Sequence, residues 1–261
     1  MPMKEEIQLY KGDCLELMKS IPDASVDMIL CDLPYGTTQN KWDCPIDLSR
    51  LWPEYWRICK PSAAIILTAQ TPFDKILGAS QIGHLKYEWI WEKTAATGFL
   101  NAKKSPLKAH ENVLVFYRKQ PTYNPAMTAG HTIKRTNASY ANHGANYGKS
   151  SSVRAPYEST ERYPRSVQKL PKDNRLKNQH PTQKPVALME YLIRTYTNEG
   201  DIVLDNCMGS GTTGVACIHS GRRFIGIERD EKIFGTASDR IASAIALRNT
   251  PVPQIELFGT A

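Results

Sequence analysis

Between Ile202 and Glu228 the chain places an apolar run, a glycine-rich turn, a helical stretch and a second apolar run in succession. Ile202-Val203-Leu204 reads as a buried strand ending at Asp205, and Asn206-Cys207-Met208 leads from it into Gly209-x-Gly211-x-x-Gly214. A helix then runs to about Ser220, and Arg223 to Ile227 reads as a strand that ends at Glu228, 19 residues after Gly209. Such glycines permit a tight turn and close ligand approach, the helix N-terminus favours an anion, and the acid accepts ribose hydroxyls. The pattern indicates a nucleoside-containing cofactor without choosing between a nicotinamide dinucleotide and S-adenosylmethionine, whose carboxylate can use the same backbone donors. Only 33 residues follow Glu228 (261 minus 228), too few for the rest of a doubly wound sheet. The other strands are therefore expected from the first half of the chain.

That half supplies them. Ile7 to Tyr10 and Val26 to Cys31 read as strands on either side of a short helix carrying Leu15, Leu17 and Met18. Leu48, Leu51, Trp52, Tyr55, Trp56 and Cys59 recur at helical spacing, with Pro53 expected to start or kink that helix. Ala63 to Ala69 is a further strand, Pro72 to Ser80 a short helix, and Tyr87 to Trp91 and Val113 to Tyr117 two more strands. Near the C-terminus, Pro185 suits the first position of a helix bearing Leu188, Met189, Leu192, Ile193 and Tyr196, and Gly200 suits its C-cap. A last helix carries Ile233, Phe234, Ala237, Ile241 and Ile245.

The Val26 strand ends in Asp32-Leu33-Pro34-Tyr35-Gly36. In open α/β sheets ligands bind outside the carboxyl ends of strands. A carboxylate, a proline that leaves a neighbouring carbonyl free, and a flat aromatic face would together suit an active site there. By itself the stretch is equally an ordinary Pro-Tyr-Gly turn. A sheet assembled from both ends of the chain sets it beside the glycine loop.

Charge separates the middle of the chain from the rest. The protein has a net charge of +7, but residues 118–184 hold 13 Lys and Arg against 3 Asp and Glu, a local +10, and the remainder sums to −3. Up to about Gln179 this segment is rich in Asn, Ser, Thr, Pro and Gly, with Tyr123, Tyr140, Tyr147, Tyr157 and Tyr163 among the basic residues. Composition alone allows a disordered linker. Interleaved aromatics and cations suit stacking on bases and contact with phosphates, which makes Lys134, Arg135, Arg154, Arg162 and Arg165 the candidate nucleic-acid contacts. Six scattered cysteines form no Cys-x-x-Cys pair, and no metal site is expected. No apolar run approaches the roughly 18 residues of a membrane span, and the first residues do not form a signal peptide, so a cytoplasmic location is expected.

The order of these parts resembles the β class of amino DNA methyltransferases, across almost the whole chain. Asp32-Leu33-Pro34-Tyr35 resembles the family's catalytic Asp-Pro-Pro-Tyr, with leucine at the second position. His180-Pro181-Thr182-Gln183-Lys184-Pro185 resembles the stretch before the cofactor strand, and Asp205 to Thr213 the Asp-Pro-Phe-x-Gly-Ser-Gly-Thr-Thr loop, with Asn206 and Cys207 in place of Pro-Phe. Gly12-Asp13-Cys14 and Val26-Asp27 match the family's opening.

The resemblance implies a circularly permuted Rossmann-like α/β sheet with helices on both faces. It divides into a catalytic half (1–117), a target-recognition insertion (118–179), a cofactor-binding half (180–250) and a tail (251–261). It also implies methyl transfer from S-adenosylmethionine to an exocyclic amine of a flipped base in double-stranded DNA, with Asp32, Pro34 and Tyr35 catalytic. Asp13, Cys14, Asp32, Lys184, Asp205, Gly209, Gly211, Thr212, Thr213 and Glu228 would hold the cofactor, although Asp13 could equally be a helix N-cap. Aspartate at position 32, where N4-cytosine enzymes commonly carry serine, favours adenine N6, and the absence of Pro-Cys argues against C5-cytosine chemistry. An N4-cytosine enzyme, a silent DNA-binding protein and an NAD-dependent oxidoreductase are the alternatives. Many relatives dimerise, and Gln254-Ile255-Glu256-Leu257-Phe258 resembles a sliding-clamp docking peptide, against the plainer reading of a terminal strand or loose end.

Overall fold

The computed structural model describes residues 6–36, 44–137, 139–140, 153–171 and 183–250. The chain divides into two compact units, Met1–Asn124 with Ser166–Ala261, and Pro125–Arg165. The larger unit opens with β1 (Ile7–Lys11), α1 (Cys14–Leu17) and β2 (Val26–Cys31), followed by α2 (Leu48–Ile58), β3 (Cys59–Ala69), α3 (Phe73–Ser80), β4 (Leu85–Thr97) and β5 (Lys108–Phe116). The smaller unit lies inside the segment set apart by charge. It pairs β6 (Lys134–Thr136) of the first of its two ribbons, and β7 (Ser139–Tyr140) of the second, with β9 (Tyr157–Ser159) and β8 (Val153–Arg154) respectively, both antiparallel. The larger unit resumes with β10 (Val167–Leu170), α4 (Val186–Tyr196), β11 (Ile202–Asp205), α5 (Thr212–Ser220), β12 (Arg223–Glu228) and α6 (Glu231–Asn249).

Among the described residues eight strands form the central sheet in the order β1-β12-β11-β2-β3-β5-β4-β10. Every described neighbour pair is parallel except those of β5, which runs antiparallel to both β3 and β4. The C-terminal strand β11 pairs directly with β2, setting Val203 against Met28. The two ends of the chain therefore interleave in one sheet, the mixed α/β architecture read from the sequence. The ends of β2, β11, β12 and β4 share one carboxyl edge.

Side chains alternate along each strand, and here both faces are covered. Ile29 and Cys31 join Leu204, Ile225 and the helices α1 to α3, while Met28 and Leu30 join Val203, Phe224 and the helices α4 to α6. Burying each such aliphatic side chain contributes about 1.5–3 kcal/mol, so the sheet is held from both sides.

Three local readings change. The helix α2 does not start at Pro53, since Asp47 caps it by accepting from Ser49 N at 2.9 Å and Pro53 lies inside. Pro185 is the N-cap of α4, not its first helical residue. Gly200 is not the C-cap, because α4 ends at Tyr196 with Thr197 already extended. The buried Arg222 guanidinium donates to Thr197 Oγ1 at 3.0 Å and Thr197 O at 2.7 Å, holding the chain out of the helix, and Gly200 takes its positive φ in the turn that follows.

Candidate active site

Asp32 follows the last residue of β2 at the carboxyl edge. Its Oδ1 accepts from the Tyr35 hydroxyl at 2.6 Å and from the Thr68 hydroxyl of β3, and its Oδ2 accepts from Lys184 Nζ at 2.6 Å. Lys184 precedes α4 and is 7% exposed. It also lies 3.2 Å from Glu111 on β5, and Glu111 pairs at 2.6 Å with Lys93 on β4. A row of alternating charge, the buried Lys93, Glu111 and Lys184 and the partly exposed Asp32, thus crosses the edge from β4 to β2. Burial pushes the Lys184 ammonium down, but Asp32, Tyr35 and Glu111 outweigh it and hold the group well above its ordinary range. Burial likewise pushes Glu111 up, and Lys184 and Lys93 outweigh it, leaving the carboxyl below its ordinary value.

Tyr35 stacks on Phe73 of α3 with ring centroids 5.3 Å apart, so one face of its ring is already covered. Burial first, and then the Asp32 charge, raise its phenol well above the ordinary range, so it stays a donor. Leu33 points into the core, whereas Pro34 is half-buried. The leucine that departs from the commoner proline therefore fills packing space.

The glycine loop stands beside this site because β11 is the neighbour of β2. Gly209 has a φ of 51°, and a Cβ placed there would meet nothing within 4 Å, so the space on that side of the loop is open. Gly214 does the opposite job: a Cβ there would lie 2.6 Å from Ile241 and 2.8 Å from Phe224, so only glycine lets α5 pack this closely. Gly211 caps α5 without a side-chain hydrogen bond, which leaves Thr212 and Thr213 at an anion-favouring helix start. Glu228 Oε2 accepts from Gly209 N at 3.0 Å, and burial raises its carboxyl. Asp205 accepts from Cys207 N at 3.1 Å and Thr213 Oγ1 at 2.6 Å, and burial pushes its carboxyl up to about 6.

Asp13 is the N-cap of α1, accepting from Leu15 N at 2.9 Å, and Cys14 is buried beside Cys207. His180 to Thr182 and the peptide Gln254–Phe258 lie outside the described residues. In the smaller unit, Lys134 and Arg135 sit together on β6 and are exposed, with Arg135 paired to Glu158 at 2.8 Å. Arg162 serves that unit's own fold, donating to the carbonyls of Ser159, Glu161 and Thr132. Arg165 is exposed, and the Arg154 side chain lies outside the described residues.

Sequence reasoning missed Thr68, Lys93 and Glu111, which strand adjacency alone brings to Asp32. It also missed Arg240 of α6, whose guanidinium donates to Ser210 O and, at 2.8 Å, to Ser210 Oγ, pinning the glycine loop from behind.

An α/β sheet with a nucleoside-type glycine loop and a multiply held carboxylate on adjacent strand ends defines a Rossmann-like enzyme that works beside its cofactor. The family model described as DNA methylase matches residues 26–239, and the chain belongs to that family. It is 32% identical to the DNA adenine methyltransferase YhdJ of Escherichia coli (strain K12), over 84% of this chain and 77% of that protein. It is 28% identical to the type II methyltransferase M.HinfI of Haemophilus influenzae, over 92% of this chain and 70% of that one. Among solved structures, the M1.HpyAVI–SAM complex matches with a TM-score of 0.63 at 27% identity, over 90% of this chain and 98% of that one. The PvuII DNA methyltransferase (cytosine-N4-specific) matches with a TM-score of 0.64 at 15% identity, covering 95% of each chain, a likeness of fold alone. Family membership removes the ground for reading the glycine loop as that of an NAD-dependent oxidoreductase. Among the described residues no helix is long and apolar enough to cross a membrane, and no cluster of potential metal ligands occurs.

Proposed function

We propose that the chain methylates adenine N6 of a flipped base in duplex DNA, using S-adenosylmethionine. The observation that carries this is the Asp32 carboxylate at the carboxyl edge beside the glycine loop. A carboxylate offers about four acceptor positions. Among the described residues three are taken by Tyr35, Thr68 and Lys184, which leaves one on Oδ2 for an incoming N–H.

When bound, S-adenosylmethionine supplies an electrophilic methyl group on a sulfonium sulfur. Its carboxylate suits the uncapped start of α5, and its ribose hydroxyls suit Glu228. An exocyclic amine is a poor nucleophile because its lone pair is delocalised into the ring. Asp32 and a backbone carbonyl near Pro34 accept its hydrogens and favour the pyramidal form, in which the lone pair is available. Tyr35 holds Asp32 with its hydroxyl, and its half-buried ring, stacked on Phe73 with the Lys184 ammonium 5.5 Å from its centroid, lies where a base taken out of the stack would pack. The name of the Escherichia coli relative and the aspartate at position 32 favour adenine over cytosine.

Labelled S-adenosylmethionine with unmethylated duplex DNA, followed by nucleoside analysis, should yield N6-methyladenine. N4-methylcytosine would overturn the base assignment, and no transfer to any DNA would overturn the function. The clamp-like peptide Gln254–Phe258 rests on its sequence alone. Homodimerisation rests on the family resemblance.

Asp205 makes cofactor affinity pH-dependent. A bound cation favours the ionised carboxylate, so Asp205 titrates lower in the complex than in the free protein, where it titrates at about 6. Affinity is full above that value and weakens by up to about tenfold per pH unit below it. Calorimetric Kd values for S-adenosylmethionine between about pH 5 and 8 should show this, and Asp205→Asn should flatten the profile. A flat wild-type profile would remove Asp205 from the site.

A further inference from the structure

The turn joining β4 to β5 exposes what a soluble protein normally covers. Phe99 is 71% exposed and Leu100 fully so, side by side in a short turn that begins at Gly98 with φ 95°. Lys103, Lys104 and Lys108 flank them and are all exposed. From Lys93 to His110 the chain has four lysines and no Asp or Glu. An apolar tip with a wholly basic collar is unlike a surface awaiting another protein's apolar face, and it matches the chemistry of a polyanion with stacked rings inside.

Its position is fixed within the larger unit. Because β4 runs parallel to β2, through β5 and β3, this turn leaves the sheet on the same edge as Asp32. At its base the register shifts between Glu92 and Thr97, where β4 advances five residues against two of β5. There Lys93 is tied through Glu111 and Lys184 to Asp32 itself. From Glu111 back to Lys108, β5 rises three residues, so the tip begins about 10 Å beyond the level of the catalytic carboxylate.

We propose that this tip contacts the DNA substrate, with Lys103, Lys104 and Lys108 on phosphates and Phe99 and Leu100 as an apolar wedge against the base steps opened when the target base leaves the stack. Wedges of Phe, Leu, Ile or Met are how proteins hold a duplex partly unstacked, and lysines on phosphates set the register. The inference rests on DNA being the substrate, and it adds a point of engagement outside the charge-rich insertion.

Full-length wild type, Phe99→Ala/Leu100→Ala and Lys103→Ala/Lys104→Ala would be compared on unmethylated plasmid DNA. Equilibrium binding across a salt series, steady-state methylation and S-adenosylmethionine affinity would be measured on each. The apolar double variant should raise the KM for DNA about tenfold, as removing a side chain that stacks on a base does. The lysine double variant should flatten the slope of log K against log salt by about 1.8, roughly 0.9 for each phosphate no longer neutralised. Cofactor affinity and thermal unfolding should match wild type, since all four side chains are exposed.

Wild-type DNA binding and kinetics in both variants would overturn the proposal. So would a shift in sedimentation with unchanged DNA kinetics, which would make the tip a contact between copies of the chain. If the wild type binds DNA but transfers no methyl group, the functional reading fails while the binding slopes still decide the tip.

Discussion

Asp32→Asn is expected to lower kcat for methyl transfer about 10³-fold, with a far smaller change in S-adenosylmethionine affinity. The carboxamide keeps the shape of the side chain and an oxygen for the Tyr35 and Thr68 hydroxyls. It loses the charge, and it turns an N–H₂ toward either Lys184 or the substrate amine, where an acceptor is required. A group that acts only as the amine becomes nucleophilic affects the transition state more than the ground state, so the loss should fall on kcat and not on the KM for DNA. Single-turnover methylation with cofactor binding measured alongside reads the two apart. A variant within about tenfold of wild type would assign the chemistry to another residue. Asp32→Ala is the less informative substitution, because it also frees Tyr35, Thr68 and Lys184 to rearrange.

The two halves of this site differed in how visible they were in the sequence. Gly209, Gly211, Gly214 and Glu228 are recognisable because a tight turn, an open backbone and close helix packing can be met by few residue types at fixed spacing. Asp32 to Tyr35 gained meaning only once the chain had to build its sheet from both ends. Lys93 and Glu111 were hidden for a physical reason. Strand readings rest on apolar alternation, so β4 was read only to Trp91 and β5 only from Val113, where that pattern stops. The strands in fact continue through Lys93 and Glu111, buried because each carries an opposite charge from an adjacent strand. A single chain read in order holds no record of that adjacency. Arg222 misled in the same way: it ends α4 from 25 residues away, so local preference favoured Gly200.

The second large effect concerns that charged row. Lys93, Glu111, Lys184 and Asp32 alternate in sign and sum to zero, and Lys184 is the only member that touches both carboxylates. Lys184→Met keeps the length of the stem and removes the ammonium. Two carboxylates then share the space with one cation, and breaking a buried pair from one side costs about 3–5 kcal/mol. Lys184→Met/Asp32→Asn should recover part of that loss, because the second change neutralises the carboxylate that the first left without its cation, whereas Glu111 keeps Lys93.

The pH dependence follows from the directions of the shifts. Lys184, held above its ordinary 10.5, contributes fully below that value and loses its contribution only as pH rises through its folded value. Glu111, held below its ordinary 4.5, contributes above that value and loses its contribution as pH falls through its lower folded value. The stability difference between wild type and Lys184→Met should therefore hold from neutral pH to about 10 and shrink in acid, beginning as the carboxylates that the ammonium no longer holds down take up protons. Denaturant unfolding at several pH values measures it. A difference under about 1 kcal/mol at neutral pH would show that Asp32 and Glu111 are held without Lys184. With the predicted loss, a fall in kcat at unchanged cofactor affinity, not restored by Lys184→Arg, would add that the ammonium also aims Asp32, since the broader guanidinium cannot sit between two carboxylates in the same space.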